Sequence, residues 1–196
     1  MTDSAMTLRE QKRWETSHRI TVCAQALTAA HGLDGFTMEE LAEAADVSRR
    51  TLFNYFPSKT DAVLGEPPEI PEAAVDAFRT GGPHGDLVDD LTELVRIAMS
   101  VKQPDRDQAQ RARRILAAEP RLLAAAHQRF ETITIEFTEL VLEREGADFG
   151  ASRARLLLRL LLALLDVALD RFTADDDRTL VDLFEEQLRD ARALLA

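Results

Sequence analysis

Between Thr37 and Lys59 the chain reads TMEELAEAADVSRRTLFNYFPSK, a spacing that leaves little freedom of fold. Two stretches of about two helical turns each open on a hydroxyl residue, Thr37 and Ser48. Such residues accept hydrogen bonds from the free amides at a helix start. Glu40, three residues beyond Thr37, completes a capping-box pattern. Met38, Leu41, Ala42 and Ala45 on the first helix can share a small core with Val47, Leu52 and Phe56 around the second. The same register turns Arg49, Arg50, Thr51, Asn54 and Tyr55 outward. The segment is a helix-turn-helix, and its second helix carries the polar and cationic side chains that reading the major groove of DNA requires.

The net charge of −11 runs against DNA binding until it is divided along the chain. Residues 1–62 hold seven basic and nine acidic side chains, a net of −2, so the rest of the chain carries −9. Phosphate affinity follows the local placement of cations, and acidity elsewhere discourages non-specific contact with nucleic acid. Six of the seven cations fall in the N-terminal arm and first helix or at the reading helix, and the seventh, Lys59, opens the next helix. Arg9, Lys12, Arg13 and Trp14 form either an arm that follows the DNA backbone or enters the minor groove, or a merely solubilising N-terminus.

Hydrophobic residues make up 45% of the 196, enough for a sizeable core. The longest apolar stretch, Leu156 to Leu169, is too short for a membrane span and contains Arg159 and Asp166. Met1 to Glu15 is polar and lacks the apolar centre of a signal peptide. The single cysteine, Cys23, excludes an internal disulfide framework and reads as a small buried hydrophobe. A reducing, cytoplasmic location is expected.

Helix signals dominate the remainder. A helix is expected from about Leu8 to His31, with Ile20, Ala24 and Leu27 on one face and Gly32 as its stop. Pro57 and Ser58 break and recap the chain for a helix from Lys59 to about Leu64. Gly65 to Pro71 reads as a linker, followed by a short helix over Glu72–Arg79 and a glycine-rich loop. Asp86 caps a helix to about Val101, Pro104 marks a break, and a further helix runs to Glu119. Pro120 fits the first turn of a long helix to about Glu145. Two more helices are expected over Ala151–Thr173 and Asp176–Leu195, the second capped by the run Asp175-Asp176-Asp177. The expected fold is all-α: a three-helix helix-turn-helix domain with its arm in residues 1–62, and a helical domain in residues 63–196.

Gly32, Phe36, Thr37, Leu41, Ala42, Ala45, Asp46, Val47, Ser48, the run from Thr51 to Phe56, and Lys59 resemble the N-terminal motif of TetR-family transcriptional regulators in residue type and spacing. The resemblance covers roughly the first third of the chain. It implies a homodimer with an N-terminal DNA-binding domain and a larger C-terminal domain that senses a small molecule. Such a protein is usually a repressor released by its ligand. An activator and an adaptor that has lost DNA binding are the alternatives, and the intact Arg49-Arg50-Thr51 run argues against the adaptor.

By position, Thr37 implies a phosphate contact through its hydroxyl or the amides of its helix start. Arg49, Arg50 and Thr51 sit where the family reads base edges, next to the cap Ser48, and an arginine there can bond guanine bidentately. Asn54 reads an adenine edge or touches the backbone, while Tyr55 and Lys59 reach phosphates. Phe53 stands where tyrosine is usual and keeps only a packing contact with the DNA backbone. Asp46 stands where glycine is usual in the turn.

Leu156, Leu157, Leu160, Leu161, Leu164, Leu165 and Ala168 form a face too wide for a helix packed on one side. The last helix adds Leu180, Leu183, Phe184, Leu188, Ala191 and Leu195 at helical spacing. Two such helices per subunit suit a symmetric four-helix dimer interface, with Leu157, Leu161, Leu164, Leu165, Leu180, Phe184 and Leu188 at its centre. A purely intramolecular core is the competing reading. The ligand pocket implied by the resemblance is placed among Met99, His127, Phe130, Ile133, Thr134 and Phe137, residues that equally suit an ordinary core. An enzyme is disfavoured, since the four histidines are scattered and no metal, nucleophile or phosphate-loop motif occurs. No cofactor is expected.

Overall fold

The computed structural model describes residues 8–100, 105–174 and 177–195. Among them are ten helices and no strand: α1 (Leu8–His31), α2 (Met38–Ala44), α3 (Arg49–Tyr55), α4 (Lys59–Leu64), α5 (Glu72–Arg79), α6 (Leu87–Ser100), α7 (Arg106–Ala118), α8 (Pro120–Glu145), α9 (Ala151–Thr173) and α10 (Leu180–Leu195). A single 3-10 turn, Ala147–Phe149, joins α8 to α9. The helix starts follow their capping chemistry. Thr37 Oγ1 accepts from the Glu40 amide at 3.1 Å, and the Glu40 carboxylate accepts from the Thr37 amide at 2.7 Å, closing the capping box. Ser48 and Ser58 cap α3 and α4 through the amides of Thr51 and Asp61. Asp86 takes the amides of Val88 and Asp89 at the head of α6. Gly32, at φ +74°, ends α1 in the left-handed region that a Cβ would strain.

One start differs from expectation. The last helix begins at Leu180, four residues later than Asp176, because Thr179 forms its own box: its hydroxyl oxygen accepts from the Asp182 amide at 3.1 Å and Asp182 accepts from the Thr179 amide at 3.3 Å. Asp177 stands outside the helix, and Asp175 and Asp176 lie outside the described residues, as do Val101 and Pro104.

The chain packs as two units. One comprises Met1–Pro67 with Gln108–Ala126, the other Pro68–Asp107 with His127–Ala196. In the first, Ile20, Ala24, Leu33, Phe36, Leu41, Leu52, Phe56 and Ala62 form a core that Ile115 of α7 and Leu122 of α8 complete. Full burial of such a leucine or phenylalanine is worth about 1.5–3 kcal/mol. Gln25 of α1 fastens α4 by donating from Nε2 to the Val63 carbonyl at 3.0 Å.

The second unit buries Phe78, Leu91, Val141, Ala154, Leu183 and Phe184, and with them a charge. Asp90 is wholly buried, accepting from the His84 amide at 2.6 Å, the Gly85 amide at 3.2 Å and Arg144 Nη2 at 2.6 Å. Arg144 also donates to the Phe78 carbonyl at 3.2 Å and lies over the Phe78 ring. Burial pushes the Asp90 carboxyl up, but the two amides and the guanidinium outweigh it and hold the group below its ordinary value.

Candidate nucleic-acid interface

The reading helix is supported from beneath. Leu52 and Ala45 are fully buried under α3, and Val47 and Tyr55 pack against the same core. Asp46 takes the turn at φ +50°, a left-handed conformation that aspartate tolerates better than most side chains. The amides around it stay bonded, Asp46 N to Glu43 O at 3.1 Å and Val47 N to Ala42 O at 3.0 Å. The departure from glycine is therefore absorbed by the turn.

Arg49, Arg50, Phe53 and Asn54 are exposed on α3, with Thr51 half-buried and its hydroxyl 2.8 Å from that of Ser48. Arg49 does not simply extend into solvent. Its Nε forms an ion pair with the Glu39 carboxylate of α2 at 3.1 Å, and its guanidinium lies 5.6 Å over the Phe53 ring. Tyr55 is half-buried, with the Arg13 guanidinium 5.9 Å above its ring and Arg13 itself 3.5 Å from Glu66. Arg9, Lys12, Arg13 and Trp14 belong to α1 itself, where Trp14 stacks on His18 at 4.9 Å.

Two of the expected phosphate ligands have partners inside the chain. The Lys59 ammonium donates to the Phe36 carbonyl at 2.8 Å and sits 5.0 Å over the Phe36 ring, tying the start of α4 to the loop before α2. The Thr37 hydroxyl donates to Glu40 at 3.0 Å. Those bonds from the Thr37 amide and hydroxyl hold the Glu40 carboxyl below its ordinary value. Nothing in residue type or spacing marks the Lys59 bond to Phe36 in advance, whereas the Thr37–Glu40 pair follows from the capping-box spacing. Cys23 is half-buried, its thiol donating to the Ala44 carbonyl at 3.4 Å, and burial pushes its pKa up against the influence of Arg19. A thiol so placed is a poor nucleophile.

In the second unit a cavity of about 90 Å³ lies among α6, α8 and α9. Thr134 and Phe137 line it together with Ile133, whereas Met99, His127 and Phe130 do not. His127 and Phe130 are instead exposed. The rest of the lining is Leu91, Val95, Leu158, Leu161, Leu162 and Leu165. Leu161 and Leu165, expected at a dimer interface, thus face the cavity, and Leu161, Leu180 and Phe184 are buried within the single chain. Leu157, Leu164 and Leu188 are half-buried. The apolar side chains that α9 leaves outside are Leu156, Leu160 and Val167, at 60%, 47% and 44% exposure. Helical periodicity marks a wide apolar face but not which part of it a neighbouring helix covers.

Among the described residues no group of histidine, cysteine and carboxylate side chains could hold a metal ion, and no helix is long and apolar enough to cross a membrane. An all-helical chain with a supported, cation-bearing reading helix is the architecture of a DNA-binding regulator. Two family models match it: bacterial regulatory proteins of the tetR family over residues 20–64, and the MftR C-terminal domain over residues 85–196. The chain belongs to the TetR family of transcriptional regulators, proteins that bind DNA and are not enzymes. It is 39% identical over 56 residues to a protein of Mycobacterium tuberculosis named as the mycofactocin biosynthesis transcriptional regulator MftR, a stretch covering 29% of this chain and 28% of that one. The crystal structure of a TetR-family regulator from Mesorhizobium loti shares the fold at a TM-score of 0.52 and 18% identity, over 92% of this chain and 95% of the other.

Proposed function

We propose that this regulator is a homodimeric repressor that holds a palindromic operator through α3 and is released when a small molecule occupies the cavity among α6, α8 and α9. The observation that carries the reading is α3 itself, packed on Leu52 and presenting Arg49, Arg50 and Asn54 on its exposed side. In this reading Arg49 and Arg50 read base edges, with Ser48, Thr51 and Asn54 beside them. Thr37, Tyr55 and Lys59 hold the backbone, and Phe53 packs on it.

A single reading helix spans one half-site, and a two-fold pair supplies two half-sites one helical turn apart. The exposed stripe Leu156, Leu160 and Val167 on α9 is the surface proposed for that pairing, since apolar side chains at helical spacing gain from burial against their own copy. Residues of α8 belong to both units, with Leu122 in the core of one and Thr134 and Phe137 on the cavity of the other. The MftR-type match over residues 85–196 favours mycofactocin biosynthesis genes as the regulated set.

Gel-shift titration against DNA upstream of the chain's own gene and its neighbours tests the reading. A sequence-preferring complex of two protomers per site is expected at moderate salt. Its absence without any effector would sink the repressor. Arg49→Ala or Arg50→Ala should weaken specific binding by about 1–3 kcal/mol. If both variants bind like the parent, α3 reads DNA through other residues.

A further inference from the structure

The lining of the cavity also restricts what can enter it. Resting on the effector reading above, we propose that it takes a compact, uncharged, apolar molecule, a single aromatic ring or a short branched alkane. Among the described residues that line it, Thr134 is the one polar side chain, and its hydroxyl already donates to the Phe130 carbonyl at 2.8 Å. The remaining lining is aliphatic or aromatic.

Two charges beside lining residues are matched elsewhere. Asp90, next to Leu91 on α6, is bonded to two amides and to Arg144. Arg159 on α9 is bonded to Glu131 on α8 at 3.0 Å. An ionised ligand would therefore give up its hydration without gaining a counter-charge, at a cost of several kcal/mol. An apolar ligand loses nothing of that kind and gains roughly 25 cal/mol for each Å² it removes from water. Size narrows the class further. A cavity of about 90 Å³ is of the same order as the roughly 150 Å³ dry apolar cavity that binds benzene.

The test uses the full chain and two probes of similar shape, toluene and benzoate. Toluene at tenfold its dissociation constant should raise the thermal midpoint by about 3–6 °C, and benzoate at the same concentration by less than 1 °C. In methyl NMR spectra toluene should shift the resonances of Ile133 and Leu161. Val95→Phe, which fills the space from α6, should abolish both effects. The methyl shifts locate the probe even if that variant does not fold.

Benzoate stabilising as well as toluene would overturn the proposal, as would toluene leaving the Ile133 and Leu161 methyls unmoved. DNA selected from a random pool by the protein separates this inference from the one it rests on. Toluene seated in the cavity with the selected DNA still bound supports the cavity's chemistry and ends the release mechanism. Release of that DNA by benzoate or another charged compound, with toluene unseated, does the reverse.

Discussion

The helix-turn-helix unit and the second unit both have to cover apolar helix faces, and they do it differently. In the head, short helices with their own hydroxyl caps converge on a core in which Leu41, Leu52 and Phe56 leave almost no apolar surface over. In the second unit, long helices meet imperfectly: they leave an open pocket and an apolar stripe on α9, and bury an ion pair. Charge divides in the same way. Arg49 and Glu39 meet in the open at 68% and 56% exposure, whereas Arg144 and Asp90 meet at 5% and 0%. The unit that carries α3 is close-packed, and the unit that carries the pocket is not.

That contrast can be broken, and the largest effect lies in the buried pair. Arg144→Ala leaves Asp90 inside without its cation and should cost about 3–5 kcal/mol in urea unfolding. A cost under about 1 kcal/mol would mean that Asp90 is satisfied by the two amides alone.

Next come the cores. Leu52→Ala should cost about 2–5 kcal/mol, while Leu162→Ala, beside space that is already empty, should cost about 1 kcal/mol. Equal costs would erase the difference in packing.

Acid sharpens the comparison further. Asp90 has a folded pKa below its unfolded value of about 3.9, so its stabilisation is complete above about pH 4 and is lost as pH falls through the lower folded value. Urea midpoints should fall steeply across that window in the parent and less steeply in Asp90→Asn. Parallel curves would exclude Asp90 as the cause.

The smallest effect belongs to the exposed pair: Glu39→Gln should change stability by no more than about 0.5 kcal/mol. A larger loss on thermal melting would show that Glu39 has a structural role in the head.

How much was legible in the residues follows the same division. Caps act over three or four positions, so Thr37, Ser48, Ser58 and Asp86 mark their helix starts, and glycine and proline mark the stops. Asp46 could be recognised as the left-handed residue of the turn because its backbone demand is local. Where a long-range partner decides, the residues are silent. Lys59 bonding the Phe36 carbonyl and Arg49 bonding Glu39 depend on how separate elements meet. The wide face of α9 does not say which leucines meet the cavity, the core or water. Leu161 and Leu165 were consequently expected at a surface although they line the cavity. Thr179 is hard to recognise as a helix start because the three aspartates before it offer a louder signal of the same kind.

The division of the first unit also bears on how the chain is made. Its core includes Ile115 and Leu122, so the reading head, complete in motif by Lys59, remains short of two core side chains until the chain has been synthesised to about Ala126. At roughly 5–20 residues per second, about 3–12 s separate the emergence of Pro67 from that of Ala126. During that interval the nascent head carries an open apolar site where α7 and the start of α8 will dock. The core beneath α3 is thus completed only with the middle of the polypeptide, and a fragment cut after Pro67 should be less stable than the whole and bind DNA more weakly.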